Sequence, residues 1–353
     1  MNFVKKSKIM LFPRFNKWIV IFFVVTLSVA GFRGYQLYRY IFDANVRTPG
    51  SIKIPINATY QQVIDSLKKH DIIINYIAFD WVAKRKKYDQ FIKPGKYLLD
   101  KGLTTNEILN MLKSGNQQPV NVTFNNLRFF TELAGDISKY IQPDSVELLQ
   151  KFNDPAVQEK YGFSQYTFHC MFIPNTYEFY WTTTADQFLE RMSMEYKRFW
   201  NEERRSKAAE MGLTPEEVMT VASIVQEESN KSDERPIIAG LYLNRIKKGM
   251  PLQADPTVKY ALGNFHIKRV LNSHLAIDSP YNTYKYPGLP PGPINFPEIS
   301  SIGAVLNAAK TPYLYMCARE DFSGYHNFAK NLSAHNENAR KYKEALDSRE
   351  IFQ

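Results

Sequence analysis

Glu228 is the residue of this chain best placed for acid–base chemistry. It stands near the end of the run Leu213-Thr-Pro-Glu-Glu-Val-Met-Thr-Val-Ala-Ser-Ile-Val-Gln-Glu-Glu-Ser229, which carries the marks of a capped helix. Thr214 suits the N-cap, Pro215 the first helical position, and Glu217 completes a Thr-x-x-Glu capping box. At about 100° per residue, Val218, Val221, Ile224 and Val225 fall on one apolar stripe. Glu228 joins that stripe, whereas Glu227 points roughly 100° further round, toward Thr220 and Ser223. A carboxyl on the buried side of a helix loses hydration. Its pKa then rises and it stays protonated near neutrality, as a general acid must. Taken alone, the pattern also describes a charged residue at a fraying helix end.

Downstream motifs decide between these two. After Asn244-Arg245 come Gly249-Met-Pro-Leu-Gln-Ala-Asp-Pro-Thr-Val-Lys-Tyr260, Gly263 and Ser279-Pro-Tyr-Asn-Thr-Tyr284. Gly288-Leu-Pro-Pro-Gly-Pro-Ile-Asn295, Lys310-Thr-Pro-Tyr-Leu-Tyr315, His326-Asn-Phe328 and His335-Asn336 follow. In this order they resemble the endolytic murein transglycosylase (YceG-like) family, from about residue 52 to the C-terminus and most densely over 172–336. In that family the helix usually reads Ala-Ser-Ile-x-Glu-Lys-Glu-Thr, and the second Glu is the catalytic acid. Here Ala222-Ser-Ile-Val-Gln-Glu-Glu-Ser229 aligns that acid with Glu228, and Gln226 replaces the first Glu. The resemblance implies an enzyme without a cofactor that cuts peptidoglycan glycan strands as they are made. It also implies glycan polymerases and transpeptidases as neighbours.

A glycosidic bond between amino sugars breaks when its oxygen is protonated and the ring becomes oxocarbenium-like. A hydrolase needs a second carboxylate, whereas a lytic transglycosylase needs one acid, because the sugar's own 6-hydroxyl attacks. A single carboxyl on an apolar stripe fits the second scheme. A water-using muramidase with Asp255 as second carboxylate, and a wall-binding scaffold without activity, are the competing readings.

Expected substrate contacts are Gln253 and Asp255 on the Leu-Gln-Ala-Asp-Pro-Thr loop, with Tyr281, Asn282 and Tyr284. Flat aromatic faces with polar tips suit sugar rings and amides. Asp255 reads equally as a turn or helix cap before Pro256, and the tyrosines also read as loop packing. Asn175, Tyr177 and Glu178, in a Pro-x-Thr-Tyr pattern shared with the family, either line a groove or sit in the core. His326 and His335 match family positions and read as neutral side chains holding a loop rather than as catalysts.

Composition sets the remaining bounds. Of the net charge of +10 over 353 residues, Lys5, Lys6, Lys8, Arg14, Lys17, Arg33 and Arg39 supply seven before the first acid, Asp43. The body is therefore too weakly basic for a nucleic-acid binder, and no stacking motif supports one. Residues 18–32 carry no charge and are followed by Tyr35, Tyr38, Tyr40 and Phe42. This predicts a single-pass anchor over 18–40, with basic residues 1–17 in the cytoplasm and the body outside the inner membrane. Ser28-Val-Ala30 would also serve as a signal-peptide cleavage site. Cys170 and Cys317 could bridge but read better as two unpaired buried thiols, and no Cys/His spacing suits a metal.

The expected fold class is α+β, with a small domain over 44–122 and a larger catalytic domain over 123–353. A weak repeat relates Thr59-Tyr-Gln-Gln-Val-Ile-Asp-Ser-Leu-Lys68 to Thr104-Thr-Asn-Glu-Ile-Leu-Asn-Met-Leu-Lys113, each after a short apolar strand. Such β-α units resemble LysM modules, which bind N-acetylglucosamine chains; a spacer of similar topology is the alternative. A long helix over 185–211, another over 235–247, loops from 249 to 297, a strand over 313–317 and a final helix from 334 complete the expectation.

Overall fold

The computed structural model describes residues 17–267 and 269–349. The expected basic segment lies, apart from Lys17, outside the described residues. The chain divides into two compact units, Met1–Pro119 and Val120–Gln353.

The first unit opens with α1 (Lys17–Phe42), whose 26 residues span about 39 Å. Among the described residues it is the one helix long and apolar enough to cross a membrane. Trp18, Phe22, Phe23, Leu27 and Phe32 face outward rather than into a core. The helix runs past the expected limit at residue 40 to Phe42, with Tyr35, Tyr38 and Tyr40 within it.

The repeat takes shape as β1 (Gly50–Ile54) with α2 (Tyr60–Lys69), then α3 (Tyr76–Arg85), then β2 (Gly95–Leu99) with α4 (Thr105–Ser114). β1 and β2 pair antiparallel, with Ile52 opposite Tyr97 and Ile54 opposite Gly95. Alternation sends Ile52, Ile54, Tyr97 and Leu99 inward. Both repeat threonines close capping boxes, Thr59 with Gln62 and Thr104 with Glu107. The helices then bury Val63, Ile64 and Leu67 in one copy and Ile108, Leu109 and Leu112 in the other. Gly115 ends α4 in the left-handed conformation.

The second unit begins with β3 (Pro119–Phe124), which pairs with β4 (Asn175–Tyr180). Between them lie α5 (Phe130–Ile137), α6 (Ser145–Asn153) and α7 (Pro155–Lys160). Phe130, Phe152, Phe168, Phe172, Phe188 and Phe296 meet in one aromatic core. The helix expected over 185–211 is two helices, α8 (Ala185–Phe199) and α9 (Glu202–Glu210). The break has a physical cause: Trp200 is buried, and the Asn201 side chain accepts the Arg204 N–H as an N-cap.

α10 (Pro215–Glu228) runs through the middle of this unit, and α11 (Arg235–Lys247) packs against it. The stretch expected as loop contains α12 (Asp255–Leu262) and the single turn α13 (Asn272–Leu275). Pro256 stands in the first turn of α12, where its missing N–H costs nothing, and Gly263 closes the helix at φ 65°. The proline-rich run 287–297 is irregular, as expected. Gly292 in it cannot carry a side chain, because a Cβ would strike the Tyr166 carbonyl. α14 (Ile299–Leu306) packs on α10. The strand expected over 313–317 is β5 (Tyr315–Ala318), paired antiparallel with an unforeseen β6 (His326–Ala329), and α15 (Leu332–Ser348) follows.

Candidate active site

α10 is buried on every side rather than along one stripe: every residue from Val218 to Gln226 is buried. Thr214 caps it through the predicted box with Glu217. Polar residues inside it are satisfied. Ser223 Oγ donates to the Thr220 carbonyl and accepts the Ile294 N–H. Gln226 Oε1 accepts from the Glu298 N–H at 2.7 Å and the Ser301 hydroxyl at 3.0 Å, which ties α10 to the start of α14.

The helix ends in two carboxylates with opposite surroundings. Glu227 receives the Arg128 guanidinium at 2.9 Å and the Asn295 amide at 3.0 Å, so its charge is matched. Among the described residues Glu228 has no cation in hydrogen-bond contact. It is half-buried and lines a cavity of about 260 Å³ with Tyr242, Arg245, Gln253, Asp255, Tyr284 and His326. Its Oε1 accepts the Tyr242 hydroxyl at 2.6 Å. Burial pushes the Glu228 carboxyl up to about 7, the Tyr242 hydrogen bond opposes the rise, and the charge of Asp255 adds to it. The carbonyl end of α10 acts in the same direction as burial, since a negative charge is unfavourable there. Near neutral pH this group is therefore poised between acid and base.

The opposite wall is held by two hydrogen-bonded constructions. Tyr284 donates its hydroxyl to Asp255 Oδ1 at 2.5 Å, across from the first turn of α12. Gln253 takes a left-handed backbone, φ 52°, uncommon for a side chain of its kind. Arg245 fixes that loop: its guanidinium donates to the carbonyls of Leu314, Pro251 and Leu252 and to Gln253 Oε1. From the β5–β6 side, His326 reaches the cavity with Nδ1 at 2.9 Å from Glu234 Oε2. Among the described residues no group of three His, Cys, Asp or Glu side chains is placed to hold a metal ion. Cys170 and Cys317 are free, the first buried and the second at the cavity edge.

Comparison with known proteins places this arrangement. The profile of the YceG-like family matches residues 52–341. A relative, the endolytic murein transglycosylase of Bacillus subtilis (strain 168), is 32% identical over 315 residues, which cover 85% of this chain and 86% of that protein. The chain belongs to the YceG-like family. The endolytic murein transglycosylase of Streptococcus pneumoniae serotype 2 (strain D39) is 28% identical over 368 residues, covering 92% of this YceG-like chain and 65% of that longer protein. A crystal structure of a YceG-like protein from Listeria monocytogenes matches with a TM-score of 0.54 at 27% identity, over 82% of this chain and 98% of that one.

Of the residues singled out in the YceG-like sequence, Glu228, Gln253, Asp255 and Tyr284 meet in this cavity. His326, read from the sequence as holding a loop, lines it as well, and the remaining ones stand elsewhere. Tyr281 packs on Tyr260 and lines a separate cleft with Tyr166 and His169. Asn282 is fully buried, donating to the Leu275 and Ile277 carbonyls and accepting the Tyr284 N–H, so it shapes the loop. Tyr177 is a core residue stacked on Phe124, with its hydroxyl on the Ile173 carbonyl at 2.6 Å. Asn175 is exposed at the start of β4 and accepts the Thr176 N–H. His335 stacks on Tyr315, away from the cavity lining. Sequence reasoning passed over Tyr242 and Glu234 and gave Arg245 no role. The one signal for the first was its place three residues before Arg245, which puts both on one face of α11.

Proposed function

We propose that this chain is an endolytic peptidoglycan lytic transglycosylase in which Glu228 acts first as acid and then as base. The protonated Glu228 carboxyl gives its proton to the oxygen of the β-1,4 bond between N-acetylmuramic acid and N-acetylglucosamine, and the C1–O4 bond breaks. The muramic 6-hydroxyl oxygen then bonds to C1, and its proton passes to the Glu228 carboxylate. The product is a 1,6-anhydro end, no water is consumed, and the acid is restored.

One observation carries this reading: a carboxyl held near pKa 7 in a cavity, with a tyrosine hydroxyl on Oε1. Burial keeps the proton on for the first step. Tyr242 steadies the anion between the steps. The relatives' name, endolytic murein transglycosylase, supports the same substrate and reaction class. Gln253, Asp255 and Tyr284 then serve as sugar contacts. Tyr281, in its neighbouring cleft, is assigned to the strand further from the cut.

The reading extends to the rest of the chain. α1 anchors the protein once in the inner membrane with the catalytic unit outside, where nascent strands are. The β-α repeat of the first unit suits a LysM-like glycan-docking role, with domain limits near 44–122 and 123–353. Strand termination next to glycan polymerases and transpeptidases is the biological setting this implies.

Digestion of sacculi by wild type and Glu228→Gln, with mass spectrometry of the fragments, tests the proposal. Anhydro-muramic ends from wild type and none from the variant are expected. Reducing ends would instead assign Asp255 as a water-activating carboxylate. Binding without cleavage would leave a scaffold.

A further inference from the structure

We propose that His326 contacts the sugar in the Glu228 cavity as a hydrogen-bond acceptor through Nε2, and that Glu234 is the positioning residue that makes it one. This rests on the transglycosylase reading and adds a substrate contact to it.

Glu234 is a buried carboxylate, 3% exposed. It stands at the N-cap position of α11, where a helix favours negative charge. Both its oxygens accept. Oε1 takes the His326 backbone N–H at 2.7 Å, and Oε2 takes the Ser229 hydroxyl at 3.3 Å and faces His326 Nδ1 at 2.9 Å. Among the described residues no Lys or Arg pairs with it. A group already accepting at both oxygens leaves Nδ1 only the donor role. In a neutral imidazole the proton then sits on Nδ1 and Nε2 keeps its lone pair. The ring geometry turns Nε2 away from Glu234. His326 lines the cavity, and no hydrogen bond to Nε2 is found among the described residues, nor is it a buried orphan.

The cavity's other polar groups are largely engaged. Arg245 Nε and Nη1 donate to loop carbonyls and to Gln253, the Tyr242 hydroxyl donates to Glu228 and the Tyr284 hydroxyl to Asp255. Sugar hydroxyls and acetamido N–H groups are donors that need acceptors. Asp255 offers one, and His326 Nε2 offers a second on the β5–β6 side. Two fixed acceptors on different walls define the rotation of one amino-sugar ring relative to the Glu228 proton.

Three variants of the full chain in detergent separate the contact from the fold. His326→Asn keeps an N–H for Glu234 but has nothing at the Nε2 position. It should match wild type in melting temperature and lose about 10- to 100-fold in kcat/KM for sacculus cleavage, as should His326→Ala. Glu234→Gln offers one carbonyl for two N–H donors; its amide should drive the proton to Nε2 and cost activity similarly. The tautomer is read directly on wild type and Glu234→Gln from imidazole ¹⁵N shifts at the assay pH. Bare Nε2 in wild type and protonated Nε2 in the variant support the proposal. A protonated Nε2 in wild type overturns it, as does unchanged cleavage by His326→Asn. A wild type that cuts no glycan at all would refute the enzyme reading instead.

Discussion

The Tyr242 hydroxyl and Glu228 Oε1 lie 2.6 Å apart, joining the middle of α11 to the last residue of α10. The bond favours the ionised carboxylate, while burial and Asp255 favour the neutral one. Removing the hydroxyl should let the second tendency win. In Tyr242→Phe the alkaline fall in activity, expected near pH 7 in wild type, should move to higher pH. The rate at its optimum should drop about tenfold, because the anion between the two steps loses its partner. A pH–rate profile of both proteins checks this.

Glu228 should also weaken the fold as pH rises. Its carboxyl, raised from 4.5 to about 7, binds more proton in the native state than in the unfolded chain between those values. Stability from this group is therefore full below pH 4.5 and is lost as pH climbs through about 7. The full effect is of order 3 kcal/mol. Glu228→Gln, which can still accept the Tyr242 bond, should melt with wild type at pH 4.5 and above it at pH 8. Equal melting temperatures at both values would show that the carboxyl carries no such shift.

The adjacent carboxylate should behave in the opposite way. Glu227 is held by Arg128 and Asn295 outside the cavity. Glu227→Gln should keep glycan cleavage within a few-fold of wild type. The cost should be about 1–2 kcal/mol of stability, a figure kept low because both side chains are partly exposed. Denaturant melts and the sacculus assay, run together, read the two effects.

Gln253 holds a left-handed backbone at φ 52° while its side chain meets Arg245. Gln253→Gly relieves the backbone and Gln253→Ala does not. The Gly variant should be more stable than the Ala variant by about 1 kcal/mol, with both less active than wild type. Thermal melts of the pair isolate the backbone contribution.

Local signals were readable where they had a local cause. The capping boxes at Thr59, Thr104 and Thr214 are short-range hydrogen bonds, and α2, α4 and α10 begin where those residues stand. α11 likewise keeps its expected limits. α12 was lost inside a stretch read as loop, although the sequence already admitted a helix cap at Asp255 before Pro256; a proline starts a helix well, and whether one follows depends on neighbours the residue itself does not reveal. Asn201 was hidden inside a continuous charged pattern that looked like one helix. In the candidate site, Glu228, Gln253, Asp255 and Tyr284 belong to separate motifs that long-range packing brings together. Tyr177 and Asn282 come from equally distinctive motifs, yet their polar atoms are spent on nearby carbonyls and on the loop's own N–H. Glu234 gave no signal, because its partner His326 lies far along the chain and the pair exists only once β6 has folded against it.

The central claim is that Glu228 carries a proton near neutrality. Selective ¹³C labelling of glutamate, with Glu228→Gln to assign the signal, gives its titration directly. A side-chain carboxyl that titrates near pH 7, and moves upward in Tyr242→Phe, is the predicted result. A midpoint below about 5, that of an ordinary solvated glutamate, would contradict the account.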